Sequence, residues 1–147
     1  MELVFRNNTE DKTWQADFFE HVLGVAAGVL LETSNYKLET ISLSVNLVSK
    51  EEIQKLNKEH RGKDAPTDVL SFPVDAEAGD LGDIFICLSI AKKRAEDDNM
   101  TIEKELSWLT IHGFLHLLGY DHDKSEEEAR KMDQLEKQIL ERLKANA

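Results

Sequence analysis

An α+β fold with one mixed sheet of about four strands is what the sequence predicts, and three observations predict it. Residues 40–48 alternate, with Ile41, Leu43, Val45 and Leu47 on one side and Ser42, Ser44 and Asn46 on the other. That period of two belongs to a strand with one buried face. Residues 109–118 are apolar nearly all round (Leu109, Ile111, Phe114, Leu115, Leu117, Leu118), which marks a buried helix. Strand and helix candidates then follow one another in an order that is not a plain βαβ alternation, so the sheet is expected to be mixed.

The elements read as follows. Leu3-Val4-Phe5 is a short first strand. Residues 14–31 form a long apolar helix, with Gly24, Ala26, Ala27 and Gly28 where a neighbour packs closely. After strand 40–48, Ser49-Lys50-Glu51-Glu52 is a capping box, so a helix begins at once, turns Ile53 and Leu56 inward and ends at Gly62. Residues 68–72 and 83–87 are two further strands, separated by an acidic, glycine-containing loop over 75–82. Residues 89–97 read as helix. Thr101 caps the next helix, Glu103 sits in its first turn where the dipole favours an acid, and Gly119 suits the position just past its end. Ser125-Glu126-Glu127-Glu128 is a second capping box. It opens a final amphipathic helix with Met132, Leu135, Ile139 and Leu143 on one face.

Composition narrows the function classes. The 147 residues are 41% hydrophobic and 32% charged, the profile of a soluble globular protein with one real core. No repeat, low-complexity tract or Pro/Gly/Ser linker interrupts them, so residues 1–147 are expected to form a single domain. No run approaches the roughly 20 apolar residues of a membrane span. The start, Met1-Glu2-Leu3-Val4-Phe5-Arg6, lacks the basic and apolar regions of a secretory signal. Cys87 is the only cysteine, which fits a reducing cytoplasm, and it reads as plain core. A net charge of −11 counts against broad nonspecific binding to nucleic acid but leaves room for a local basic groove. Residues 50–64, with Lys50, Lys55, Lys58, Arg61 and Lys63, and the denser Lys92-Lys93-Arg94 are two basic clusters, each read on composition as a solvated helix face.

The chemistry lies in residues 111–122, Ile-His-Gly-Phe-Leu-His-Leu-Leu-Gly-Tyr-Asp-His. His112 and His116 are four apart on the predicted helix and so share one face, one turn apart. Two imidazoles so placed can reach one ion at about 2.0–2.1 Å. The helix stops at Gly119, and Tyr120-Asp121 is a short tether that swings His122 toward the same point. Three nitrogen ligands on a tetrahedral ion leave a fourth position for water, the pattern of a catalytic zinc used for hydrolysis. Leaving three such histidines buried and unpaired would cost a few kcal/mol each, on the order of any buried polar group. The metallopeptidase motif H-E-x-x-H has its general base directly after the first histidine. Here that residue is Gly113, which disfavours a peptidase on mechanism.

Residues 112–122 resemble the signature of the YbeY family, single-domain metal-dependent endoribonucleases of ribosomal RNA maturation. Two further blocks agree and occur in the family's order: Leu56-Asn57 followed by Arg61-Gly62-Lys63-Asp64-Ala65-Pro66-Thr67-Asp68-Val69-Leu70-Ser71-Phe72-Pro73, and Leu81-Gly82-Asp83-Ile84. The resemblance implies a zincin-like fold, with the mixed sheet packed against a central helix carrying the first two ligands. It implies zinc on His112, His116 and His122, and Arg61 acting on an RNA phosphate. It further implies single-stranded regions of 16S ribosomal RNA near the 3′ end as substrate, a part in ribosome quality control with ribosome-associated partners, and a cytoplasmic location. His60 departs from the tyrosine common in the family; either ring could pack or stack.

Each of the other residues has a plainer reading beside it. Asp68 either orients a ligand histidine or caps the turn after Pro66-Thr67, and Asp121 either holds His122 or serves the turn. His21 and His60 lie too far away in sequence to be assigned. No general base is visible, so attack by water and attack by the RNA 2′-hydroxyl both fit. The competing classes are a zinc metallopeptidase-like hydrolase and a non-catalytic, metal-stabilised ribosome-associated module. Imidazole also suits nickel, copper and iron. Metal analysis of the purified protein should find about one transition-metal ion per chain, lost in His116→Ala; an unchanged metal content in that variant would sink the site.

Overall fold

The computed structural model describes residues 1–34 and 40–146. Three of its helices begin at the hydroxyls that mark them in the sequence. Ser49, Thr101 and Ser125 each accept a hydrogen bond from the backbone N–H three residues on, of Glu52 (3.1 Å), Lys104 (3.2 Å) and Glu128 (3.1 Å). Each bond satisfies one of the donors that a helix start leaves open. The helices are α1 (Ala16–Ser34), α2 (Lys50–Arg61), α3 (Leu88–Asp97), α4 (Ile102–Leu117) and α5 (Glu126–Ala145). Among the described residues none is long and apolar enough to cross a membrane.

The strands β1 (Glu2–Asn7), β2 (Ser42–Val48), β3 (Val69–Asp75) and β4 (Asp80–Cys87) form one sheet in the order β1-β2-β4-β3. β1 and β4 run parallel to β2, and β3 runs antiparallel to β4. The expected α+β class with a four-stranded mixed sheet is therefore the observed one. On one sheet face Leu43, Val45, Leu47, Ile84 and Ile86 pack with Phe19, Leu23 and Leu30 of α1, Leu109, Ile111 and Phe114 of α4, and Met132 and Ile139 of α5. The opposite face carries Val48, Leu70 and Cys87 against Ile53 of α2. Cys87 is fully buried, as a core residue should be.

Two sequence expectations change. β2 was expected to bury one face, yet Ser44 and Asn46 on its polar side are 5% and 3% exposed. β2 is a central strand, and its polar side is dry because its hydrogen bonds are made internally. Asn46 Nδ2 donates to Ser44 Oγ (2.9 Å) and to the Ile84 carbonyl (3.1 Å), Arg6 Nη1 donates to Asn46 Oδ1 (3.2 Å), and Ser44 Oγ donates to Asp83. Alternation reports polarity, and polarity equals exposure only where no partner is at hand. The loop expected over 75–82 is also shorter, because β3 and β4 extend into it and leave a turn at 76–79. Pro73 lies within β3, which an edge strand tolerates because the missing N–H can face away from the ladder.

Gly82 makes that extension possible. Its φ is +129°, and a Cβ there would lie 2.1 Å from the Phe72 carbonyl oxygen. The β2–β4 register skips a residue at this point, from Ser42 opposite Asp80 to Leu43 opposite Gly82. Backbone strain and the clash both fall on any side chain placed here. Gly82→Ala should therefore destabilise by roughly 2–5 kcal/mol, measured as a lower denaturant midpoint; an unchanged midpoint would rule out this backbone geometry.

Candidate metal centre

α4 carries His112 and His116 on one face, and its end determines where the third histidine goes. The Gly119 N–H bonds to the His116 carbonyl (3.0 Å) and the Tyr120 N–H to the Leu115 carbonyl (3.1 Å), with Gly119 at φ +98°. These are the paired bonds of a Schellman motif, which turns the chain back across the end of its own helix. Asp121 Oδ1 accepts the Asp123 N–H (2.9 Å), so Asp121 serves the turn. His122 is thereby returned to the other two, its ring centroid 4.9 Å from that of His112 and 5.9 Å from that of His116.

The three rings offer nitrogens that all lie within 4.8 Å of one another. His112 Nε2 and His116 Nε2 are 3.1 Å apart. Two ligands on a tetrahedral ion with bonds of 2.0–2.1 Å would sit about 3.3 Å apart, so the pair fits a shared cation. Burial pushes the His116 imidazole below its ordinary pKa, and the neighbouring His112 and His122 push it the same way against the pull of Asp121 and Glu136. The neutral ring with a free lone pair is therefore favoured, which is the form a metal requires.

His112 is held on the other side as well. Its Nδ1 lies 2.8 Å from Glu136 Oε1, and Glu136 Oε2 accepts the indole N–H of Trp108 (3.2 Å). The Trp108 ring stacks on His112 at 5.0 Å. Asp133, also on α5, lies 3.4 Å from His122 Nε2 but is largely exposed. Neither Glu136 nor Trp108 was singled out from the sequence. A signal was present for Glu136: it is a carboxylate on the apolar stripe of α5, among Met132, Leu135 and Ile139. Its partner lies 24 positions away, and no local pattern names it.

Arg61 is the last residue of α2 and opens onto the same cleft as His112 and His116, a space of about 350 Å3 also bordered by Ser71, Tyr120, Asp121 and Lys124. Its Nη2 donates to the Ser71 carbonyl (2.9 Å), and its guanidinium carbon lies 5.6 Å from the Phe72 ring centroid. His60 packs on the other residue of that pair, 4.9 Å from the Phe72 ring. Asp68, by contrast, is bonded to the backbone of its own turn and to Arg94. Its Oδ1 accepts the Val69 N–H (2.7 Å), and its other oxygen pairs with Arg94. Of its two readings, the turn is the one observed. Arg94 also reaches Glu105 (3.3 Å), Lys92 pairs with Asp11, and Lys93 with Asp97 (3.5 Å). The densest basic cluster in the sequence is thus neutralised by its neighbours, while Arg61 bonds a carbonyl and keeps its charge.

Gly113 has a structural reason to be glycine. A Cβ there would lie 2.9 Å from Ile84 Cγ2 and 3.0 Å from Ser71 Oγ, and the Ser71 hydroxyl donates to the Gly113 carbonyl (3.0 Å). A side chain at 113 would point into the sheet rather than the cleft. The peptidase base is thus missing, and this helix orientation also leaves no room for one.

The family model described as Endoribonuclease YbeY matches residues 4–144. The chain is similar to Endoribonuclease YbeY of Sulfurihydrogenibium sp. (strain YO3AOP1), 46% identical over 114 residues covering 75% of each chain. It is also similar to Endoribonuclease YbeY of Acholeplasma laidlawii, 42% identical over 142 residues covering 95% of each. Among solved structures it resembles the solution structure of TM1509 from Thermotoga maritima, with a TM-score of 0.65 and 32% identity, covering 97% of this chain and 91% of that one.

Because α4 meets the sheet at Gly113, Gly113→Ala should cost about 1–3 kcal/mol of stability. Gly113→Glu should fail to fold or lose metal rather than gain peptidase activity. Thermal denaturation and metal content check both, and a stable, metal-replete Gly113→Glu would contradict the packing.

Proposed function

The chain belongs to the YbeY endoribonuclease family, and on that premise we propose that it is a zinc-dependent endoribonuclease using His112, His116 and His122 as metal ligands and Arg61 on the scissile phosphate. Its substrate is single-stranded ribosomal RNA near the 3′ end of the 16S species. It works in the cytoplasm, in ribosome maturation and quality control, with the ribosome or ribosome-associated proteins as partners. The 147 residues act as one metal-dependent hydrolase domain.

The observation that carries this reading is that Arg61 and two of the histidines share one cleft. When bound, zinc would lower the pKa of water and act as a Lewis acid beside the phosphate. The protein's own groups do the rest. The Arg61 guanidinium has five donors in a planar fork, and the bond to the Ser71 carbonyl leaves the others for a phosphate. Its anchorage reduces the entropy lost on binding and aims its charge where negative charge develops. Lys124 adds a second cation to the cleft. With a net charge of −11, nonspecific binding to long RNA is suppressed.

The peptidase alternative is disfavoured on two grounds. Gly113 faces the sheet, and the Ser71 carbonyl on edge strand β3, which an extended peptide would need for pairing, is occupied by Arg61. A purely structural metal is disfavoured because three ligands leave a position open.

The test is cleavage of purified RNA by wild type, His112→Ala and Arg61→Ala, with contaminating nuclease excluded. His112→Ala should lose metal and cleavage together. Arg61→Ala should keep fold and metal while cleavage drops on the order of 100-fold or more, as for loss of one charge-stabilising donor. Normal cleavage by Arg61→Ala would remove the phosphate role, and casein digestion as fast as RNA digestion would favour the peptidase. Product ends name the nucleophile: a 2′,3′-cyclic phosphate marks attack by the 2′-hydroxyl.

A further inference from the structure

We propose that Glu136, braced by Trp108, is a positioning residue for the metal centre: it accepts the Nδ1 proton of His112 and so keeps the Nε2 lone pair of that ring facing the other histidines. This role rests on the metal-dependent reading above and adds to it a residue of α5 outside the histidine motif.

The geometry is specific. Glu136 Oε1 lies 2.8 Å from His112 Nδ1, and its Oε2 accepts the Trp108 indole N–H at 3.2 Å. An indole nitrogen can only donate, so Trp108 uses Oε2 and leaves Oε1 directed at His112. A carboxylate can only accept, so the imidazole nitrogen facing it must carry the proton. The other nitrogen, Nε2, is then unprotonated in the neutral ring, and it lies 3.1 Å from His116 Nε2. Trp108 and His122 both stack on the His112 ring, at 5.0 and 4.9 Å, which restrains its rotation out of this alignment. Glu136 is 6% exposed. A carboxylate that deep on the apolar stripe of a helix is expensive unless its oxygens are bonded, and both of its oxygens are directed at α4, to Trp108 and His112. Asp133 does not share the role, because it is 68% exposed and its oxygen lies 3.4 Å from His122.

The plainer alternative is a latch that only ties α5 to α4. Three measurements on the full chain separate the two. The first is the His112 tautomer, read by 15N NMR in the metal-free wild type; the positioning role requires a protonated Nδ1, and protonation at Nε2 would overturn it without any variant. The second is affinity for cobalt(II) or zinc(II) alone, by chelator competition. Glu136→Gln keeps the shape, but its amide can donate as well as accept, so it should mix the tautomers and weaken binding about 10- to 100-fold, the usual cost of losing such a partner. Trp108→Phe, which keeps the stacked ring and loses the N–H, should weaken binding by less. The third is stability: Glu136→Gln keeps the shape and leaves a partner for both the Trp108 N–H and His112 Nδ1, so its denaturation midpoint should move little while its metal affinity falls, a split that a latch would not produce. Folded Glu136→Gln with wild-type affinity and tautomer would overturn the proposal. A wild type that takes up no metal would overturn the metal centre itself, and this role with it.

Discussion

Ser71 is held from two directions, and the arrangement of the cleft depends on it. Its hydroxyl donates to the Gly113 carbonyl at the closest approach of α4 to the sheet, while its own carbonyl accepts Arg61 from the end of α2. One residue on an edge strand therefore sets the distance between the helix carrying two histidines and the only arginine facing them among the cleft residues. The contact exists because position 113 has no side chain, which lets Ile84 and Ser71 come within contact of the helix backbone. Interiors packed to crystal-like density transmit such constraints rather than absorbing them, so the spacing of the cleft follows from the absence of a single methyl group.

The electrostatics follow a similar economy. The chain is strongly acidic, and its densest basic run is spent on ion pairs to Asp11, Asp97, Asp68 and Glu105. Two cations, Arg61 and Lys124, border the cleft. On a chain of net charge −11 they give the groove a local positive character toward a phosphate. The histidines answer to a different demand. Burial and mutual repulsion push His116 toward its neutral form, and Glu136 holds Nδ1 of His112, so its Nε2 faces His116.

Much of this was legible in the sequence for reasons that can be stated. Helix starts were readable because Ser49, Thr101 and Ser125 act on backbone groups three residues away, within the range of a local pattern. His112, His116 and His122 were readable because a helical turn and a glycine-terminated helix fix their relation over eleven positions. Other features needed partners that local pattern does not name. The polar side of β2 looked exposed because alternation cannot say that Ile84 and Asp83 of β4 and Arg6 of β1 would satisfy it. Asp68 stood between two roles until Arg94 supplied its partner.

The sequence alone determined the class of fold, the three capped helix starts, the histidine cluster and, through three motif blocks in order, the family, although it set the first helix at 14–31 where α1 runs Ala16–Ser34; all of these rest on interactions between near neighbours or on spacing. Tertiary structure decided which strand was central, that Arg61, His112 and His116 face one space, that position 113 looks into the sheet, and that a carboxylate from α5 meets His112. Those are contacts between residues 10 to 42 positions apart. Such contacts are set by how helices and sheet pack to exclude water, which depends on the whole chain at once and on no segment of it separately.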